Sequence, residues 1–351
     1  MNPTESLLIA CCRPGAGGAT VQAPPGVDWD RFERLAAWHR VSGAAYRALG
    51  EDRLAPAYNE TLARNLVALA ELDRIAGELE GTGLTAMLLK GAALLRWVYD
   101  DLGTRPMLDL DLLLRDADVP RAGAVLAGLG YTAAPKFAAM AAQLWERHGR
   151  WVPLVRADGM VVVELHRNLG DVDLGGWWER STAIPSPTAS PALRRPSGAD
   201  LLVHIACHAL GDRRLRSEGA LGQLRDVAHV AGGDIDWERV RASGAATALI
   251  LAAVARLGLA DTPTTPPTPP PAVEESLTDD LIRRRVFRDD AWVTLEQLGP
   301  RTSALRQLLP PRPARRKSDD PSYRAWAVAT ARVAPDLRGE MAFDRALRAL
   351  R

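Results

Sequence analysis

The chain has 351 residues, 47% hydrophobic and 25% charged, with 44 Lys and Arg against 43 Asp and Glu for a formal charge of +1. At roughly 100–200 residues per domain this length predicts two or three domains, and so even a balance gives no overall pull toward nucleic acid or membrane. Three cysteines, Cys11, Cys12 and Cys207, make neither a disulfide framework nor a paired metal spacing, a usage that fits a reducing, cytoplasmic compartment.

The opening stretch MNPTESLLIACCRPG lacks a basic leader, carries Glu5 and is too short to span a bilayer. Residues 1–80 read as a helical region. DWDRFERLAAWHR begins with an aspartate suited to capping and keeps apolar spacings of three and four. YNETLARNLVALAELDRIAGELEGTG is a longer amphipathic helix ending in glycines.

The character changes over 81–185. LTAMLLK is a short apolar run, GAALLRWVYDD is helical, and LDLDLLLR is strand-like. VPRAGAVLAGLGY has Pro120 in its first turn and Gly130 at its end, the marks of a helix. A helical piece around 137–148 follows, then RWVPLVRADGMVVVELH, a hairpin turning at Asp158-Gly159. The order β-α-β-α-α-β-β predicts an α+β core with a mixed sheet. Residues 186–260 return to helix in ADLLVHIACHALG and ALGQLRDVAHVAGG. The 261–275 stretch is a Pro-rich linker, and 276–351 is an arginine-rich helical tail, read either as a solvated surface or as a polyanion-binding face.

Asp-x-Asp occurs five times, at Asp28/Asp30, Asp109/Asp111, Asp116/Asp118, Asp171/Asp173 and Asp234/Asp236. The first and last pairs read as helix starts, Asp116/Asp118 precedes a helix, and Asp171/Asp173 lies in a Gly-rich loop. Only RPMLDLDLLL sets its aspartates in an apolar strand. Residues two apart in a strand share a face. Asp109 and Asp111 are therefore expected together, with Leu108, Leu110 and Leu112 turned to the core. In VVVELHR the same alternation puts Glu164 and His166 on one face and Val161, Val163 and Leu165 on the other. A carboxylate in such a strand is costly unless paired or metal-bound. Two aspartates on one strand and an acid on its neighbour form a platform for two Mg²⁺ (or Mn²⁺) ions that hold a triphosphate and activate an attacking oxygen. Lys90 and Gly91, at a strand-to-helix turn, and Arg105 are candidates for the phosphates. Because like charges repel, Asp111→Asn is expected to leave the fold intact.

In this order LLKGAALLRWVY, RPMLDLDLLL, LGY and VELHR resemble the bacterial nucleotidyltransferase-like family of the DNA polymerase β superfamily, and the resemblance extends to ADLLVHIACHAL and LRDVAHV. It implies a polymerase-β-like core flanked by N-terminal helices and a C-terminal helical domain. It makes Asp109, Asp111 and Glu164 the metal-binding catalytic acids, and gives the phosphates of an NTP, ATP first, to Lys90, Gly91 and Arg105. One departure is Ala92 after Gly91, where better-known members have a second glycine or a serine. His166, His208 and Asp226 are candidates for the acceptor cleft. His204 and His208 also have the one-turn spacing of helical zinc ligands, without the glutamate of a zinc protease or an evident third ligand. Asp226 reads first as a salt-bridge partner of Arg225, Arg213 or another helix; most tryptophans read as core, with Trp177-Trp178 a candidate lid or acceptor loop. Two function classes follow. One is an enzyme moving a nucleoside monophosphate onto a hydroxyl or phosphate of a small molecule or peptide, or of an RNA or protein. The other is a module that binds nucleotide or partner without turnover.

Overall fold

The computed structural model describes residues 1–134, 141, 145, 146, 149, 151–169, 172–184, 190–210, 219–260, 278, 279, 281, 282 and 286. The helical piece expected around 137–148 lies mostly outside the described residues, as do the 261–275 linker and nearly all of the 276–351 tail. Capping fixes the first helices. Asn2 and Glu5 bond each other's backbone at the start of α1 (Pro3–Cys11), and Asp28 accepts from the Arg31 N–H at 2.9 Å ahead of α2 (Trp29–Trp38). After α3 (Ser42–Leu49) comes α4 (Ala55–Gly81), which buries Leu69, Leu72, Ile75 and Leu79, residues three or four apart, against the core.

The next elements are β1 (Ala86–Leu88), α5 (Lys90–Trp97), β2 (Leu110–Leu113), α6 (Val119–Gly128) and β3 (Tyr131–Ala133). They are followed by β4 (Leu154–Arg156), β5 (Val162–His166), α7 (Trp177–Arg180), β6 (Thr182–Ala183) and β7 (Leu193–Arg195). The fold is α+β, built on a mixed seven-stranded sheet of order β3-β4-β5-β2-β1-β7-β6. The β4–β5 hairpin turns where Asp158-Gly159 predicts it, with Gly159 at φ +74°, a backbone that glycine adopts without a Cβ clash. β2 lies antiparallel to β1 but parallel to β5. β7 pairs parallel with β1, so the sheet takes a strand from beyond residue 185.

Both faces of the sheet's centre are covered. Leu110 and Leu112 of β2 join the main core, while Leu113 packs with Met87, Leu89 and Trp177 on the opposite side. The helical part comprises α8 (Gly198–Leu210), α9 (Ala220–Ala231), α10 (Trp237–Ala242) and α11 (Ala245–Arg256). Asp236 caps α10 through the Arg239 N–H at 3.1 Å, as its sequence setting predicts. α8 packs on α9 and α11 and also touches α5, the helix that begins at Lys90.

Candidate active site

The β2–β5 register builds the site. Asp111 is paired with Glu164 and Leu113 with His166, and strand alternation puts Asp111, Glu164 and His166 on one face. One potential ligand atom from each lies within 4.8 Å of the other two, and all three residues are buried. His166 Nε2 is 2.8 Å from Asp111 Oδ1 and 3.8 Å from Glu164 Oε2. Lys90 Nζ donates to the same Asp111 Oδ1 at 2.8 Å. Burial pushes the Asp111 carboxyl up, but the Lys90 ammonium and then His166 outweigh it and hold the group well below the usual carboxylate range. Burial also opposes the charge on Lys90, and Asp111 more than offsets it.

Asp109 differs from its neighbour. It is half-buried and precedes β2, which begins at Leu110. Burial, then the Asp111 charge, push its carboxyl up to about 6. Leu108 is 51% exposed and not a core residue, because the alternation that predicts its burial holds only where β2 is paired. The expectation that Asp111→Asn leaves the fold intact also needs correction. Asp111 is an ion-paired buried carboxylate, 1% exposed, so neutralising it strands Lys90. The repulsion that the sequence suggests is carried by Asp109 instead.

The turn that follows β1 is strained at the lysine. Lys90 has φ +41°, a conformation costing a non-glycine residue about 1–2 kcal/mol, and its side chain is thereby tied to Asp111. Gly91 is required for close approach. A Cβ there would sit 2.5 Å from Arg105 Nη1 and 2.8 Å from Met107 Cγ. Arg105 thus borders the Lys90 turn, but its guanidinium already grips Asp226 through Nη2 at 2.9 Å and Nε at 3.2 Å. Tyr99 Oη donates to the same carboxylate at 2.8 Å, and Arg225 lies 4.6 Å over the Tyr99 ring. Among the described residues Asp226 therefore pairs with Arg105 and Tyr99 of the stretch before β2, while Arg213 lies outside the described residues.

His208 is half-buried one turn beyond His204 on α8, with ring centroids 6.2 Å apart. Among the described residues neither belongs to a group of three metal-ligating side chains, which leaves the zinc reading without its third ligand. Trp177 is 1% exposed in the second core cluster, so it is packing and not a lid, while Trp178 stacks under Arg115 at 4.5 Å. Asn65 escapes sequence reasoning. From α4 its fully buried amide donates to the carbonyls of Leu102 and Arg105 and accepts from the Met107 N–H, holding the loop that leads to Asp109 and Asp111. Its only trace is a polar residue on a helix, which any exposed position also shows. A cleft of about 940 Å³ lined by Trp97, Tyr99, Arg195, Arg225 and His229 has none of Asp109, Asp111 and Glu164 in its lining.

The mixed sheet thus sets Asp111 of β2 beside Glu164 and His166 of its parallel neighbour, with Lys90 at the first strand-to-helix turn. Residues 25–262 match the family model described as Uncharacterised nucleotidyltransferase, and the chain belongs to that family. No curated protein and no solved structure matches it. Membership implies nucleotidyl transfer from a nucleotide substrate. Among the described residues no helix is long and apolar enough to cross a membrane.

Proposed function

We propose that the protein transfers a nucleoside monophosphate from an NTP, ATP first among them, to a hydroxyl or phosphate of an acceptor, using Mg²⁺ or Mn²⁺. The observation that carries this reading is the convergence of Asp111, Glu164 and His166 within 4.8 Å on one strand face beside Lys90. The donor set fits such an ion. Carboxylate oxygens suit Mg²⁺ and Mn²⁺, and an imidazole nitrogen is tolerated better by Mn²⁺. Asp111 and Glu164 would hold it, with Asp109 adding a third acid as its proton leaves. When bound, the ion neutralises charge on the transferred phosphoryl group and on the attacking oxygen.

The chain's own residues supply the rest. Lys90, released from Asp111 Oδ1, turns its ammonium to the phosphates, and Gly91 keeps the start of α5 open to them. Arg105, fixed by Asp226 beside that turn, adds positive potential there. Glu164 or His166 takes the acceptor's proton as attack begins. His208 and Asp226 remain candidates for the cleft, Asp226 by holding Arg105. A small molecule or peptide is the favoured acceptor, with RNA or protein as the alternatives. A protein that only binds nucleotide would not need two buried acids set side by side.

The test has two stages. Calorimetry with each NTP and Mg²⁺ or Mn²⁺ is expected to give metal-dependent binding that Asp111→Asn abolishes. Transfer of label from the α-phosphate is then expected to fall roughly 10²–10⁴-fold in Glu164→Gln, the range for a lost proton-transfer group, with NTP binding largely kept. Binding without turnover would favour the non-catalytic module. No NTP binding to the wild type would remove the proposal.

A further inference from the structure

His204 lies on the face of α8 that meets the catalytic half of the molecule. It is 4% exposed, and its Nε2 has no hydrogen-bond partner. A buried nitrogen left unpaired is costly, so native proteins seldom keep one without a use for it. The ring does not drift. Trp177 meets it edge to face at 6.2 Å and 79°, and Trp177 is itself locked into the cluster with Met87, Leu89 and Leu113 on the Asp111 face of the sheet. α8 also packs on α5, whose first residue is Lys90. Burial, then the charge on Lys90 and the neighbouring His208, hold His204 well below its ordinary pKa, with His166 adding to this and Asp111 opposing it. The ring is therefore neutral and close to the proposed phosphate turn. A neutral imidazole offers one N–H donor without adding charge to a site that already has Lys90.

We propose that His204 is a nucleotide-binding residue whose Nε2–H donates to a phosphate oxygen of the NTP held at the Lys90 turn. The inference rests on the nucleotidyltransferase reading above and goes beyond it, because it assigns substrate contact to the helical part of the chain. It also accounts for the unpaired nitrogen in the nucleotide-free protein.

The two consequences have opposite signs, which separates this role from a structural one. In His204→Phe the apolar ring removes the unpaired nitrogen, so the nucleotide-free protein should melt at or above the wild type. Its affinity for α,β-methylene-ATP with Mg²⁺, a probe that cannot transfer, should fall about tenfold, the size of one lost hydrogen bond. His204→Gln, whose amide can reach the Nε2 position, should stay within roughly threefold of the wild type. In ¹⁵N-histidine-labelled wild type, the Nε2 resonance of His204, identified by its loss in His204→Gln, should move on addition of the analogue. Phe and wild-type affinities that agree, or an Nε2 resonance that does not move, overturn the inference while leaving nucleotide binding standing. A His204→Phe protein that melts lower yet binds normally assigns His204 to packing, and the inference falls. The resonance decides the matter if the Phe variant does not fold. A wild type that binds no analogue removes both this inference and the reading beneath it.

Discussion

Replacing Lys90 by methionine tests the centre of the site, because it deletes one charge and keeps the aliphatic stem that packs beside it. Breaking a buried ion pair by removing one partner costs about 3–5 kcal/mol. Two features reduce that here. Lys90 is 18% exposed, and His166 remains on Asp111 Oδ1 at 2.8 Å. What remains is about 2–3 kcal/mol, or roughly 4–12 °C in Tm for a domain of this size. On the proposed function a divalent ion held at Asp111 would supply the missing positive charge, so Mg²⁺ or Mn²⁺ should close at least half of the gap. Calorimetric melting of both proteins in EDTA and with each metal reads this directly. Equal melting in EDTA would show that the Lys90–Asp111 pair contributes nothing. A deficit that metal leaves unchanged would move the ion away from Asp111.

Two further predictions use the same neighbourhood. Asp109 has its folded pKa raised to about 6, so the native state binds its proton more tightly than the unfolded chain. Its ionisation then costs stability as pH rises from about 4 through 6, a penalty complete above that range. In EDTA, Asp109→Asn should be more stable than wild type by about 1–2 kcal/mol near neutral pH, after a discount for partial exposure, with the gap closing toward about pH 4. Denaturant titration across that range checks it, and a gap independent of pH would refute it. Asp226→Asn leaves the Arg105 guanidinium buried without its carboxylate and should cost about 2–4 kcal/mol. Arg105→Gln in the same protein should recover part of this loss, and strictly additive unfolding energies would refute the pairing.

What was legible in the sequence followed from local rules. Asp28 and Asp236 cap helices because a short acid ahead of an apolar periodicity has few other uses. The hairpin turns at Asp158-Gly159 because that dipeptide tolerates the backbone a tight turn needs. Asp111, Glu164 and His166 stood out because acids and a histidine in otherwise apolar strands need a partner. The misses were long-range or at element edges. Arg105 and Asp226 meet across 121 positions, and no period or spacing records such a pairing. β6 and β7 span two and three residues, too few for alternation to register. Leu108 lies just outside the paired part of its strand, where the inside-outside rule lapses. Trp177-Trp178 looked like one exposed feature, yet only the second ring is half-exposed, since the faces of a short helix divide adjacent residues.

Lys90 joins the two kinds of evidence. The sequence assigns it to phosphate because it stands at a strand-to-helix turn, and the structure pairs it with Asp111. On the proposed function these would be successive roles of one ammonium. Without a ligand, a buried carboxylate with a neighbouring glutamate and aspartate needs a cation, and Lys90 meets that need from a strained backbone. On the proposed function, Asp111 would help hold a divalent ion, and Lys90 would then be free to meet the negative charge that a triphosphate brings to the turn. Metal and nucleotide must in consequence bind with positive coupling, because each removes the obstacle to the other.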